Sequence, residues 1–221
     1  MTASLSWTVW GLDASLTLTN PACLDAAESI VHQVIDEVER ACSRFDPDSE
    51  LQRLEPFLAT GTAISPMLAR LVRHGLEAAT WTGGAVDPTL GRDLEILGYD
   101  RDLLSVQLHP RGNDTAYEPI VRRMPGWERV HLRGNMLTVP GDLRLDLGAT
   151  AKADAADLAA AAVAAQTGSG VLICLGGDIA TAGEGPEGGW QIMVQDLETD
   201  PAQQVTLEPG QALATSSTQK R

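Results

Sequence analysis

The chain is poor in aromatic, sulfur-containing and basic residues. Phe, Trp and Tyr make up 4% of its 221 residues, it has three cysteines, and 16 Lys and Arg face 30 Asp and Glu, a formal charge of −14 at pH 7. Each shortage excludes something. Cys23, Cys42 and Cys174 are odd in number and show neither CxxC nor metal-ligand spacing, which argues against a disulfide framework and a structural zinc site. They read instead as small buried apolar residues. The deficit of cations argues against a general nucleic-acid or anionic-membrane surface, so any phosphate must be held locally, by helix N-termini, a few cations or a metal. No apolar run approaches the roughly 20 residues of a membrane span. The opening MTASLSWTVWGLDASLTL has neither a basic region nor a continuous apolar core of the kind a secretory signal needs. A cytoplasmic protein without a membrane span is the resulting expectation.

Familiar catalytic spacings are missing too. His32, His74, His109 and His131 form no HxxxH or His-Cys pair, no GxSxG elbow occurs, and neither the P-loop nor the GxGxxG pattern is present. Side-chain nucleophilic catalysis and two common nucleotide folds therefore lose support.

What the chain does have is regular patterning. Trp7 to Leu18 alternates as a strand, and Asn20-Pro21 supplies an N-cap and a proline at the first helical position. Within Leu24 to Arg40, Ile30, Val31, Val34, Ile35 and Val38 recur at helical spacing as one buried stripe. Asp46-Pro47 ends that stretch, and Ser49 caps a short turn. Ser65-Pro66 opens a second helix, carried by Leu68, Leu71, Val72, Leu76 and Ala79 and stopped by Gly83-Gly84. AVDPTLGRDL forms a loop into a short helical piece, and about Asp100 to Met124 reads as an irregular connection. Glu128 to Leu132 and Met136 to Val139 form a hairpin around Arg133-Gly134-Asn135. There follow a strand Leu143 to Leu147, a helix from about Thr150 to Ala165, a strand Val171 to Leu175, the loop GGDIATAGEGPEGG and a strand Trp190 to Gln195. A last pair of strands brackets Pro209-Gly210. The predicted fold class is α+β: a single mixed α/β domain with meandering, mainly antiparallel strands and two long N-terminal helices, not a doubly wound series.

Three small-residue loops are suited to a nucleotide. In TGGAVDPTLG, Thr82 to Gly91, the glycines allow a sharp turn and Asp87 offers a carboxylate to a base or ribose; alternatively Asp87 only organises the turn. In LDLGATAKADAADLAA, Leu145 to Ala160, Lys152 sits in the first turn of a helix, where the dipole disfavours a cation unless a phosphate supplies negative charge. Asp146 there either meets a sugar hydroxyl or adenine amine or is a helix N-cap, with Lys152 a solvated charge. In CLGGDIATAG, Cys174 to Gly183, paired glycines end a strand where a ligand or another strand approaches the backbone. Trp7, Trp10, Trp81, Trp127 and Trp190 are core or rim residues unless one stacks on a ligand ring beside such a loop.

Taken in order, SRFDPDSELQRL (Ser43 to Leu54), TGGAVDPTLG, LDLGATAKADAAD, LGGDIATAG and ATSS (Ala214 to Ser217) resemble the FAD:protein FMN transferases, the ApbE-like flavin transferase family. The likeness runs from about Trp7 to the last residues. It implies a flavin transferase fold and an enzyme that binds FAD as substrate and, with Mg²⁺, moves FMN onto a threonine or serine hydroxyl of an acceptor protein, releasing AMP. The implied acceptor is a subunit of a redox complex, and a homodimer is possible. By position, Trp10 resembles the family's FAD-touching residue after the first strand, and Phe45 its aromatic in the Ser-x-aromatic motif. Ala85, Val86 and Asp87 match the Ala-Phe-Asp type segment that contacts FAD. Asp146 matches the FAD-binding aspartate of Asp-Leu-Gly-Gly, and Lys152 the polar residue six positions later. Ala149 matches the position whose backbone carbonyl ligates magnesium. No catalytic side chain is assigned.

The chain departs from the family pattern in three places. Ala149 replaces the second glycine of Asp-Leu-Gly-Gly, and Ser217 replaces the usual glycine of Thr-Ser-Gly. The family's His-x-x-Asp-Pro-x-Thr-Gly motif and later Ala-Asp-Ala segment, source of the side-chain magnesium ligands, have no counterpart before Arg221. The expectation is therefore one transferase domain over residues 1–221 lacking its C-terminal part, by omission or truncation. A chain complete as it stands would instead be an FAD-binding protein without transferase activity. Hydrolysis of FAD to FMN and AMP is a third outcome that uses the same site.

Overall fold

A computed structural model describes residues 2–97, 125–195, 197 and 199–216. The connection expected at about 100–124, together with Ser217, lies outside them. In chain order the strands are β1 (Ala3–Val9), β2 (Leu12–Leu18), β3 (Thr62–Ala63), β4 (His131–Arg133), β5 (Met136–Thr138), β6 (Val171–Leu175), β7 (Asp178–Ala182), β8 (Trp190–Val194), β9 (Gln203–Leu207) and β10 (Ala212–Leu213). The α-helices are α1 (Leu24–Cys42), α2 (Glu50–Leu54), α3 (Pro66–Trp81), α4 (Gly91–Ile96) and α5 (Gly148–Thr167). Two compact units result, Met1–Asp36 with Lys152–Arg221, and Glu37–Ala151.

The first unit is built on a five-stranded antiparallel sheet of order β1-β2-β6-β7-β10, beside a two-stranded ribbon of β8 and β9. Trp7 to Leu18 is not one strand, as its alternation suggested, but a hairpin. Trp10 and Gly11 take φ of 53° and 72°, and a two-residue loop with both central residues left-handed folds β1 back on β2. The usual signal for that turn is Asn-Gly, which Trp-Gly conceals. The segment expected to be a loop after Gly176-Gly177 contains β7, because those glycines (φ 63° and 98°) make a second tight turn that pairs β7 with β6. The last two strands are not partners: β9 pairs with β8, and β10 with β7.

Successive residues of β6 face opposite sides of the sheet. Val171, Ile173 and Leu175 are wholly buried, as are Leu16 and Leu18 of β2. The other face carries a cluster of Leu172, Ile179, Trp190 and Leu207, with Cys174, Ile192, Val205 and Leu213 packed on it. Each large aliphatic side chain fully buried this way contributes about 2 kcal/mol. Helix α5 buries Ala155, Ala156, Ala159, Ala160 and Val163. Small residues on more than one helix face let neighbouring backbones come close.

All three cysteines are free and only partly buried, rather than fully so as expected. Burial pushes the Cys174 thiol up, and the Asp178 and Asp13 carboxylates push the same way against a lowering hydrogen bond from the Gly177 backbone. A thiol held above its ordinary range carries less thiolate at neutral pH, and thiolate is the reactive form. Iodoacetamide labelling followed by peptide mass spectrometry should therefore find Cys174 modified far more slowly in the native protein than in urea at pH 7.5. Equal rates would contradict a shielded thiol.

In the second unit, β3, β5 and β4 form a small antiparallel sheet with its hairpin turn at Gly134, as expected. The predicted caps hold: Ser49 Oγ accepts from Gln52 N at 3.4 Å and Ser65 Oγ from Leu68 N at 3.1 Å. In the first unit Asn20 likewise caps the 3₁₀ turn Pro21–Cys23 that leads into α1, accepting from Ala22 N. Leu68, Leu71, Val72 and Ala79 of α3 are buried as their spacing required. Leu143 to Leu147 is not a strand. Among the described residues its one ladder contact is an isolated parallel bridge between Arg144 and Leu90. Burial of Leu143, Leu145 and Leu147 keeps it extended instead. Arg144 fixes its position: Nε lies 3.1 Å from Glu55 Oε2, Nη2 donates to Gln52 Oε1 at 2.6 Å, and Nη1 pairs with Glu95. Among the described residues no helix is long and apolar enough to cross a membrane.

Candidate functional site

The extended segment ending at Asp146 and the loop Thr82–Gly91 are bonded side by side. Asp146 N donates to Pro88 O at 2.8 Å, and Gly91 N donates to Arg144 O at 3.0 Å. A Cβ on Gly91 would stand 3.0 Å from Arg144 O and 3.2 Å from Leu145 O, so glycine lets the backbones approach this closely. Upstream, α3 ends at Thr82, whose Oγ1 donates to Ala78 O and accepts from Val86 N. Gly83 and Gly84 follow in left-handed conformation, with Gly84 N bonded back to Ala79 O at 2.7 Å. Asp87 Oδ1 accepts from Thr89 N at 2.8 Å and from Thr89 Oγ1 at 2.6 Å. The turn-organising role of Asp87 is thus real, and it occupies one carboxylate oxygen. Oδ2 is left without a hydrogen-bond partner among the described residues.

Asp146 is engaged on both oxygens. Oδ1 accepts from Gly148 N at 2.7 Å, and Oδ2 lies 2.8 Å from Arg44 Nη1, with the two side chains 11% and 20% exposed. It is not the N-cap itself. Leu147 holds that place, its carbonyl accepting from Thr150 N and Ala151 N, and Asp146 reaches the first helical amide from one residue earlier. Arg44 comes from the loop after α1. Ser49 Oγ donates to Ser43 O at 2.6 Å and Asp46 N to Ser43 Oγ at 3.3 Å, which staples that loop. The guanidinium lies 4.6 Å from the ring centroid of Phe45, and Phe45 is 47% exposed.

Of the residues singled out by resemblance, Phe45, Ala85, Val86, Asp87, Asp146 and Ala149 fall in the second unit. Asp87 and Asp146 are joined through the backbone bond at Pro88. Ala149 is exposed in the first turn of α5. Trp10 and Lys152 belong to the first unit. Trp10 is the one non-glycine residue with positive φ among the described residues, a conformation that costs about 1 kcal/mol and is concentrated at functional sites. Lys152 is half-buried on the second turn of α5, not in the first turn as expected, because the helix already begins at Gly148, and the dipole penalty on its cation is correspondingly smaller. Trp81, 82% exposed next to Thr82, is on the surface and not in the core.

At the third loop, the approach to the paired glycines is made by the protein itself. A Cβ on Gly176 would stand 2.6 Å from Leu12 Cδ1, and Thr215 Oγ1 donates to Gly177 O at 2.8 Å while Thr215 N donates to Asp178 Oδ1 at 3.2 Å. Two motifs, LGGD and the start of ATSS, are thereby brought together. The sequence reading missed Arg44. Its only signal there was a cation in a strongly acidic chain, beside an aromatic.

No group of three or more His, Cys, Asp or Glu side chains converges among the described residues, whereas Mg²⁺ requires near-octahedral oxygen donors. A cleft of about 350 Å³ between Arg73 and Glu77 of α3 and His131 to Gly134 includes none of the residues above. A second, of about 230 Å³, reaches Arg144 and Leu145 but not Asp146.

The ApbE family model matches residues 2–221. The chain belongs to the ApbE family. It is 28% identical over 176 residues to an FAD:protein FMN transferase of Rhodobacter capsulatus, covering 78% of this chain and 33% of that protein. The chain thus spans about a third of the length of this curated ApbE relative. An ApbE protein of Thermotoga maritima superposes with a TM-score of 0.80 at 19% identity, over 100% of this chain and 72% of its own. The apo form of the Pseudomonas stutzeri flavinyl transferase ApbE gives 0.75 at 19% identity, over 94% and 67%. At such identities these two share the fold, which is the mixed α/β, mainly antiparallel architecture expected from the sequence.

Proposed function

We propose that the protein binds FAD and, with Mg²⁺, transfers its FMN half to a threonine or serine hydroxyl of an acceptor protein, a redox-complex subunit, releasing AMP. The observation that carries this reading is the backbone bond from Asp146 N to Pro88 O, which sets the Asp87 and Asp146 loops side by side within a chain of the ApbE family. In this reading the two carboxylates accept hydrogen bonds from the nucleotide's base and sugar, Ala85 and Val86 line the approach, and Phe45 offers a ring face. Trp10 and Lys152, of the first unit, are assigned to FAD by the family resemblance alone. The transfer is a displacement at phosphorus. The hydroxyl oxygen bonds to the FMN-side phosphorus while the bond to the oxygen bridging it to AMP breaks, so placement and charge neutralisation matter more than covalent chemistry by the protein. Magnesium enters through the family resemblance, with the Ala149 carbonyl as one ligand. The described residues do not complete its shell.

The test incubates the full-length protein with FAD, MgCl₂ and an acceptor flavoprotein subunit, then measures acceptor mass and free AMP. An acceptor heavier by one FMN moiety, with matching AMP, is the expected result. AMP without the adduct would make the protein an FAD pyrophosphatase. Bound FAD with neither product would make it a flavin-binding protein.

A further inference from the structure

The pair Arg44–Asp146 joins a residue to which the family resemblance assigns a ligand contact with one to which it assigns nothing. Both side chains are largely buried, so the carboxylate would be an uncompensated charge without its partner. The pair is not a directed fork. Arg44 Nη1 is buried and 2.8 Å from Asp146 Oδ2, yet its hydrogens are aimed at no acceptor. Charge and stacking on Phe45 hold it there. A second carboxylate, Asp87, is tied to the same strip through Pro88, in a chain of net charge −14. An FAD diphosphate brings two further negative charges to this place. At separations of a few ångströms in a partly buried setting, each unscreened pair of like charges is worth several kcal/mol.

We propose that Arg44 is a positioning residue that makes the site compatible with an anionic dinucleotide. It cancels the charge of Asp146, holds that carboxylate against α5, and keeps one undirected buried N–H for a phosphate oxygen. This inference rests on the reading that the Asp87 and Asp146 loops bind FAD.

FAD affinity measured by fluorescence titration in wild type, Arg44→Met, Arg44→Lys and the double variant Arg44→Met/Asp146→Asn tests it, with melting temperatures taken on the same ligand-free samples. Arg44→Met should weaken FAD binding about tenfold or more, Arg44→Lys should retain most of the affinity, and Asp146→Asn added to Arg44→Met should restore part of it by removing the bare charge. A merely structural arginine would lower the melting temperature, and neutralising its partner would restore that temperature, with FAD affinity unchanged throughout. Unchanged affinity in Arg44→Met overturns the proposal, as does lysine performing no better than methionine, or a double variant that binds no better than Arg44→Met. Failure of the wild type to bind FAD would instead remove the underlying reading of the site, and the proposal with it.

Discussion

Asp146→Ala is expected to weaken FAD binding about ten- to a hundredfold, read as the shift in Kd when flavin fluorescence is titrated against wild type and variant. The size follows from what the side chain does in the ligand-free protein. Its Oδ1 holds the first amide of α5 at 2.7 Å and its Oδ2 neutralises Arg44 at 2.8 Å, so alanine loosens the helix start and strands a largely buried cation. A dinucleotide then loses both its proposed acceptor and the ordered backbone around it. Because breaking the ion pair also costs stability, about 1–3 kcal/mol after allowing for partial exposure, the melting temperature is needed alongside. Asp146→Asn separates the effects: it keeps an acceptor for Gly148 N and the same shape. If alanine leaves the affinity unchanged in a folded variant, Asp146 is not a flavin contact.

Local features of this chain were legible in the sequence, and long-range ones were not. The bounds of β6 follow from a run of five apolar residues, four of them buried, and the starts of α2 and α3 from Ser49 and Ser65, whose hydroxyls bond amides three residues on. Each is decided by contacts within a few positions. The order of small-residue motifs was also readable, and it pointed to the ApbE family. Trp10-Gly11 was misread because each flank alternates on its own, although the apolar positions change phase there, from Trp7 and Val9 to Leu12, Ala14, Leu16 and Leu18, and the left-handed φ of tryptophan marks the reversal. Strand β7 was hidden because Ala180 and Ala182 are too small to show periodicity, and pairing with β6 is what makes them a strand. At Leu143 to Leu147 the error ran the other way. Apolar alternation was present, but a strand also needs a neighbour, and among the described residues only Leu90 provides one.

The site followed the same division. Asp87 and Asp146 stood out in sequence, yet either could have been a capping residue, and both in fact bond nearby amides. Capping and ligand binding are compatible uses of a carboxylate, since each oxygen has two lone pairs. What no local pattern could supply is the cation. Arg44 lies on a loop after α1 and Asp146 before α5, and the pairing exists only once the second unit has folded.

Gly170→Ala is expected to lower the melting temperature by about 10 °C, corresponding to about 3 kcal/mol for a domain of this size. At Gly170 the end of β2, the start of β6 and the segment after β7 meet. Thr19 N donates to Gly170 O and Gly170 N donates to Thr19 Oγ1, each at 2.9 Å. A Cβ there would stand 1.7 Å from the Glu184 carbonyl oxygen and 2.6 Å from its carbon, and backbone cannot swing aside as a flexible side chain does. Relief requires moving Glu184, and with it Gly183, itself packed where a Cβ would fall 2.6 Å from Ser169 O. The control is Gly168→Ala, two residues away. Gly168 has φ of 68° but nothing within 4 Å of a built Cβ, so alanine there costs only the left-handed conformation, about 1 kcal/mol, and a shift of a few degrees. Thermal melts of the two variants test this: Gly170 is not left-handed, so a much larger shift there assigns the cost to the crossing with Glu184, and a shift no larger than that of Gly168→Ala would mean that the crossing relaxes at little cost.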